Sequence, residues 1–226
     1  MYPPVPSIKV TIPVYDVHLN GELTVPHQAF AVVVFAHGSG SSMHSPRNKL
    51  VANYLNERGM ATLLFDLLTS EEDKDYSNRF NIPLLAQRLK AVIQWVVERK
   101  ECSGMRVGLF GASTGSASAL MAAKDLANVI AIVSRGGRPD LVMNILPGIH
   151  AATLLIVGGL DTEVIRYNKQ AFNQLGGEKR MEIIDGASHL FEEKGALEKV
   201  CVLAAGWFES HLQPLELEKG TAINTQ

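Results

Sequence analysis

Short, uninterrupted apolar runs alternate along the chain with longer segments whose apolar residues recur at helical spacing. Apolar runs of this length are typical of strands that are covered on both faces. Each segment with a single apolar face predicts an amphipathic helix. We therefore expect buried strands at residues 30–36, 61–65, 107–110, 129–133 and 153–157, and a last short strand at 181–184.

Strands that alternate with helices predict an α/β fold, with a mostly parallel, doubly wound sheet and helices on both faces. Residues 7–26 instead alternate between apolar and polar positions, which predicts two or three antiparallel strands at one edge of the sheet. We take Asn20-Gly21 as the turn signal there. The pattern favours one domain over residues 1–226, with poorly ordered tails at 1–6 and 214–226.

The composition fits a globular α/β domain and argues against some classes of binding partner. The 226 residues are 46% hydrophobic and 19% charged, with a formal net charge of -2. Such a charge balance gives no basic surface for nucleic acid or an anionic membrane. The first residues lack the basic and apolar regions of a signal peptide, and two cysteines do not form a disulfide framework, so we expect a cytoplasmic protein. No metal-binding or nucleotide-binding motif is complete, so no cofactor or metal is expected.

A G-x-S-x-G pattern lies where the third of these apolar runs gives way to a helix. Gly111-Ala112-Ser113-Thr114-Gly115 follows the run that begins at Val107. A strand that turns into a helix within about one residue strains the central serine and leaves no room for side chains two positions away. The pattern predicts that Ser113 is an exposed nucleophile at a sharp turn, whereas the pentapeptide alone would also suit a plain glycine-rich turn.

Other reactive side chains follow other strands. Functional groups of open α/β sheets gather at the carboxyl ends of the strands, and a serine nucleophile needs a base and an acid there. His189, after the last strand, is the predicted base. Asp161, just past the strand at 153–157, is the predicted acid, with Asp140 as the rival and a helix N-cap as the other role for Asp161.

The order Ser113, Asp161, His189 and the turn around the serine resemble the α/β-hydrolase superfamily. Several stretches are similar to its dienelactone-hydrolase-like branch, namely His37–Ser42, Ser45–Asn48, Gly111–Gly115, Ser134–Asp140 and Gly186–Phe191. The name-giving enzymes have a cysteine where this chain has Ser113, and the chain has no insertion for a large cap domain. The resemblance and the turn geometry imply an oxyanion hole formed by the N–H of Thr114 and that of Ser39, with Gly40 as the alternative.

Two further features have competing interpretations. Arg135, at a strand end, could bind a carboxylate of the substrate or form an ion pair with Asp140 or another acid. The charged segment Thr69–Arg79 could be a flap over the site or a solvated surface loop. Asp66, also at a strand end, is expected to be structural.

The sequence thus predicts a serine hydrolase that cleaves a small ester, lactone or thioester, with a small acyl compound as its substrate. The sequence leaves open whether the protein forms a homodimer. The alternatives are a non-catalytic ligand-binding protein on the same scaffold and a flavodoxin-like or nucleotide-binding protein.

Overall fold

The structure, a computed structural model, describes residues 5–214. Of the predicted tails 1–6 and 214–226, residues 1–4 and 215–226 lie outside the described residues. Within the described range the chain forms eight strands and five α-helices. The strands are β1 (Ser7–Val14), β2 (Val17–Thr24), β3 (Ala31–Ala36), β4 (Met60–Phe65), β5 (Arg106–Ala112), β6 (Val129–Arg135), β7 (Ala152–Gly158) and β8 (Lys179–Ile184). The helices are α1 (Pro46–Glu57), α2 (Ile82–Glu98), α3 (Thr114–Ala123), α4 (Thr162–Gln174) and α5 (Ala196–Leu212).

All eight strands belong to one sheet, in the order β1-β2-β4-β3-β5-β6-β7-β8. The strands from β3 to β8 are parallel to one another, whereas β1 and β2 are antiparallel to each other and β2 is antiparallel to β4. The predicted mostly parallel sheet with an antiparallel N-terminal edge is confirmed, and no large cap domain interrupts residues 5–214.

Helices cover both faces of the sheet, which explains why its central strands are mainly apolar. One face packs against α2, α3 and α4 through residues such as Leu89, Leu120 and Ala171. The other face packs against α1 and α5 through residues such as Leu55 and Phe208. Strands β3, β4 and β7 are buried along their whole length, and Thr62 and Thr153 are their only polar residues.

The N-terminal hairpin turns at a different place from the one predicted. The chain reverses at Tyr15 and Asp16, where Tyr15 has a φ of 53°, and Asn20-Gly21 lies inside β2. The turn assignment was therefore wrong. A Cβ on Gly21 would lie 3.1 Å from Val10 Cγ2 and 3.2 Å from the carbonyl oxygen of Leu64, so the glycine meets a demand of close packing between three strands.

The charged segment after β4 is folded rather than extended. It contains two short 3₁₀ helices, Glu72–Lys74 and Tyr76–Phe80. Asp73 accepts two hydrogen bonds from the guanidinium of Arg79, and Glu72 Oε1 accepts one from Arg88 Nη2 at 2.6 Å. The ion pair with Arg88 ties the segment to α2, whose Arg88 side chain is only 8% exposed.

The parallel strands end together at one edge of the sheet. Ala36 pairs with Gly111, Ala112 with Arg135, and Gly158 with Ile184. The loops that follow these strands therefore meet at this edge, as expected for an open α/β sheet. Among residues 5–214 no helix has the length and apolar character needed to cross a bilayer.

Candidate active site

Ser113 occupies a strained turn between β5 and α3. Its φ of 51° and ψ of -123° place a non-glycine residue in a sparsely populated region of backbone space. The backbone is held there from both sides, because the N–H of Ser113 donates to Arg135 O at 3.1 Å and the N–H of Arg138 donates to Ser113 O at 3.2 Å. The fold thus supports the strained turn with bonds to the neighbouring strand β6 and the loop after it.

The glycines on either side of the turn are required by close backbone packing. A Cβ on Gly111 would lie 2.4 Å from Ser116 Cα, and one on Gly115 would lie 2.2 Å from Ala36 O and 2.5 Å from His37 O. All three distances are far below any van der Waals contact. The pattern around Ser113 is therefore a steric necessity of a helix that starts directly against β3 and β5.

The structure brings Ser113, His189 and Asp161 together. His189 Nε2 lies 3.3 Å from Ser113 Oγ, and His189 Nδ1 lies 2.6 Å from Asp161 Oδ2. A carboxylate accepts hydrogen bonds, so the short contact assigns the imidazole proton to Nδ1. The unprotonated Nε2 then faces the serine hydroxyl as an acceptor. The His189 side chain is 38% exposed.

Asp161 stands at the N-cap position of α4, but its side chain makes no capping hydrogen bond. Its Oδ2 is directed to His189 instead. The rival acid, Asp140, accepts two hydrogen bonds of 2.8 Å from Arg138. Of the two carboxylates that the sequence offers, Asp161 is the one in contact with the imidazole.

Sequence reasoning did not anticipate how the loop that carries His189 is held. The N–H of Ser188 donates to Glu193 Oε2 at 3.0 Å. A Cβ on Gly158 would lie 2.4 Å from Ser188 O, and one on Gly136 would lie 3.2 Å from His189 O. The glycine after each of the neighbouring strands makes room for this loop. Glycines at strand ends were visible in the sequence, but which loop they admit depends on the fold.

The loop after β3 lies against the serine. A Cβ on Gly38 would lie 3.0 Å from Ser113 Cβ. His37 braces this loop, because its Nδ1–H donates to Gly38 O and its Nε2 accepts the N–H of Leu67 at 3.1 Å. Burial lowers the pKa of His37 below its usual value of 6.5, which favours the neutral ring that this pair of bonds requires.

Asp66, expected to be structural, supports the same loop from the end of β4. Its Oδ1 accepts the N–H of Met43 at 2.8 Å. The Met43 side chain is buried in the core under α1. This contact links the loop before α1 to the end of β4.

The two predicted oxyanion donors are neighbours. The N–H of Ser39 donates to Thr114 Oγ1 at 2.8 Å, so the loop residue lies beside the first residue of α3. The Thr114 hydroxyl thus holds the Ser39 N–H in this arrangement. Gly40, the alternative donor, has a φ of +71°, and its N–H has no acceptor within residues 5–214.

The folded segment after β4 approaches this loop. A small surface pocket is lined by residues of both, including Ser39, Gly40, Asp73 and Arg79. The segment therefore neighbours the candidate oxyanion donors, as a flap would. The ion pairs of Arg79 and Arg88 nevertheless fasten it to itself and to α2, and its role stays a prediction.

Arg135 does not pair with Asp140. Its side chain is buried on the face of the sheet that carries α1 and α5, where Nη2 donates to Asn48 Oδ1 at 3.3 Å. Asp140 forms its ion pair with Arg138 instead. The ion-pair interpretation of Arg135 is therefore wrong, and the buried arginine needs another explanation.

Comparison with known proteins agrees with this architecture. A dienelactone hydrolase from Anabaena variabilis ATCC 29413 is 48% identical, covers 93% of this chain and 100% of its own, and superposes with a TM-score of 0.90. Est1E from Butyrivibrio proteoclasticus shares the fold with a TM-score of 0.77 at 15% identity, over 89% of this chain and 98% of its own.

Two Mycobacterium tuberculosis proteins, from strains CDC 1551 and H37Rv, are each 49% identical over 211 residues and carry the name "Putative phosphoribosyl transferase". The alignment covers 93% of this chain but 48% of each of them. The chain thus spans about half the length of these relatives. Residues 29–200 match the family described as "Alpha/beta hydrolase domain". This range includes Ser113, Asp161 and His189, and the chain belongs to that α/β-hydrolase family.

Proposed function

We propose that this protein is a serine hydrolase that cleaves a small ester, lactone or thioester through an acyl-enzyme on Ser113. The observation that carries the proposal is the continuous hydrogen-bonded line from Ser113 Oγ through the His189 ring to Asp161. A serine hydroxyl is a weak nucleophile at neutral pH and needs a base within hydrogen-bonding reach. His189 Nε2, at 3.3 Å from Ser113 Oγ, supplies one.

In the first half of the reaction, Ser113 Oγ attacks the carbonyl carbon as its proton passes to His189 Nε2. Asp161 stabilises the imidazolium that forms and keeps its ring in the productive orientation. The carbonyl oxygen becomes an oxyanion, which accepts hydrogen bonds from the N–H of Thr114 and from Ser39 or Gly40. The proton on Nε2 then passes to the leaving alcohol or thiol, and the acyl group stays on Ser113.

In the second half, His189 removes a proton from water, which attacks the acyl carbon, and the proton returns to Ser113 Oγ as the acid product leaves. Because His189 is partly exposed, water reaches the acyl-enzyme directly. The site therefore suits hydrolysis better than a transfer that must exclude water.

The dienelactone hydrolase name of the similar Anabaena protein supports a hydrolase that acts on small cyclic or linear esters. The transferase name of the mycobacterial proteins belongs to chains of which this one matches 48%. A nucleophile, base and acid in contact account for acyl chemistry in this chain without a phosphoribosyl group.

A fluorophosphonate probe combined with a turnover screen tests the proposal. The probe is expected to add mass to the peptide that contains Ser113 in the native protein, and Ser113→Ala is expected neither to label nor to turn over p-nitrophenyl esters and lactones. Ser210→Ala is a matched control, because the Ser210 hydroxyl bonds Gly206 O on the exposed side of α5.

Absence of labelling in the native protein, or full turnover by Ser113→Ala, would overturn the proposal. Ligand binding that survives His189→Ala, without turnover of any short acyl ester, would instead favour the non-catalytic alternative.

A further inference from the structure

Arg135 carries a buried positive charge that no acid of the described chain neutralises. The residue is 7% exposed. Its Nη2 donates to the neutral amide oxygen of Asn48, whereas Nε and Nη1 are buried without an acceptor among residues 5–214. Buried charges are stable where they are paired and hydrogen-bonded. The arrangement therefore calls for an acceptor that this part of the chain does not supply.

A second guanidinium belongs to the same neighbourhood. Arg47 precedes Asn48 in the first turn of α1, and its Nε is also buried without an acceptor in the described range. Its Nη1 pairs with the exposed Glu192 at 3.1 Å. Burial, reinforced by the charge of Arg47, lowers the pKa of Arg135 to about 10. Arg135 is consequently still protonated at neutral pH, and two cations share this region.

The other groups around Arg135 do not offset its charge. The Phe191 ring lies 5.9 Å from Arg135 Cζ. Burial raises the pKa of the Cys201 thiol to about 12, so Cys201 is neutral at physiological pH. The N-terminus of α1, where Arg47 and Asn48 lie, adds further positive potential. Apart from Glu192, which pairs with Arg47 at the surface, the charged and polar groups around Arg135 thus favour a negative ligand.

We propose that Arg47 and Arg135 bind a small inorganic anion, of the size and charge of chloride, between α1 and the loop after His189. The unsatisfied N–H groups are enclosed, which favours a compact ion over a substituent of a bulky substrate. Phe191, near Arg135, and Glu192, paired with Arg47, lie two and three residues after His189. The bound anion therefore fastens the loop that carries the histidine to α1.

Thermal unfolding at constant ionic strength tests the site without relying on catalysis. Replacing sodium gluconate by sodium chloride is expected to raise the Tm by about 5–10 °C at a chloride concentration near one hundred times Kd. Arg135→Met is expected to abolish the rise, and Arg180→Met, at an exposed arginine of β8, to retain it. If Arg135→Met does not fold, Arg47→Met serves as the second variant and is expected to reduce the rise.

Crystals grown in sodium bromide locate the ion by its anomalous scattering. A peak within hydrogen-bonding distance of Arg135 Nε or Nη1 would support the proposal. An unchanged Tm in chloride, or water alone at that position, would overturn it. The proposal would also be overturned if the Tm rose only in sodium acetate and acetate also raised the KM for an ester. That result would assign the arginines to binding a carboxylate of the substrate. Ester turnover is measured separately, so failure of the anion site leaves the proposed hydrolase activity standing.

Discussion

Asp161 Oδ2 lies 2.6 Å from His189 Nδ1, in a contact that joins the loops after β7 and β8. The bond orients the imidazole so that its second nitrogen faces Ser113. Asp161→Asn replaces this acceptor with an amide that favours the wrong tautomer. We expect kcat on a reactive ester to fall by about 10⁴ while the protein stays folded.

Asp140→Asn is the matched control, since Asp140 pairs with Arg138 and does not contact His189. Steady-state kinetics on both variants, with circular dichroism to verify folding, provide the comparison. An Asp161→Asn enzyme within tenfold of the native rate would show that Asp161 does not have this role.

Gly38→Ala examines the loop that carries the candidate oxyanion donors. The added methyl group would lie 3.0 Å from Ser113 Cβ and 3.1 Å from Ala112 O, so the loop or the serine must shift. A displaced donor weakens transition-state stabilisation more than substrate binding, and we expect kcat to fall by about 10²–10³.

Gly206→Ala, in α5, is the control for a glycine-to-alanine change, because a Cβ there meets nothing within 4 Å. It should leave kcat unchanged and stabilise the helix by up to about 1 kcal/mol. Equal rates for the native enzyme and Gly38→Ala would argue against a catalytic role for the loop.

Gly115→Ala tests the steric account of the turn. The Cβ would fall 2.2 Å from Ala36 O, and neither backbone can retreat without separating α3 from β3. We expect a loss of about 3 kcal/mol or more in the free energy of unfolding, measured by urea denaturation. A variant as stable as the native protein would mean that the turn is more adaptable than its packing indicates.

His37 gives stability a defined pH dependence. Burial lowers its pKa below 6.5 in the folded protein, so the unfolded chain binds the proton more readily. The contribution of His37 is complete above pH 6.5 and declines as the pH falls below that value, by up to about 1.4 kcal/mol per pH unit.

His37→Gln keeps an acceptor near the N–H of Leu67 but does not titrate. We expect this variant to be less stable than the native protein at pH 7.5 and to lose less stability between pH 6.5 and 5.5. Urea denaturation at these three values measures the difference. Parallel pH dependences of the two proteins would assign the effect to other groups.

Glu72→Gln tests how firmly the charged segment is fastened. Glu72 Oε1 accepts from Arg88 Nη2 at 2.6 Å, and the Arg88 side chain is 8% exposed. Removing the charge leaves a buried arginine poorly paired, so we expect a loss of about 1–3 kcal/mol and faster hydrogen exchange of amides 69–80. Glu71→Gln is the control, because Glu71 pairs with Lys74 at the exposed surface. Equal exchange in the two variants would show that Arg88 does not hold the segment.

The sequence predicted a large part of the candidate site because its signals are local. The G-x-S-x-G turn follows from the steric demands of a strand that becomes a helix, and Gly111 and Gly115 meet those demands. The placement of Asp161 and His189 after strands followed from the alternation of apolar runs. A parallel sheet brings all such strand ends to one edge, so spacing along the chain predicted proximity in space.

The remaining features depend on contacts between segments that are distant in sequence, and the local pattern is silent about them. Asn20-Gly21 has the composition of a turn, yet packing against Val10 and Leu64 places it inside a strand. The sequence left open an ion pair between Arg135 and Asp140, but in the structure Asp140 pairs with Arg138 instead. The sequence by itself determined the order of elements and the residues able to react. Only the tertiary structure decided which partners they meet, because burial and register, rather than residue type, select among chemically equivalent groups.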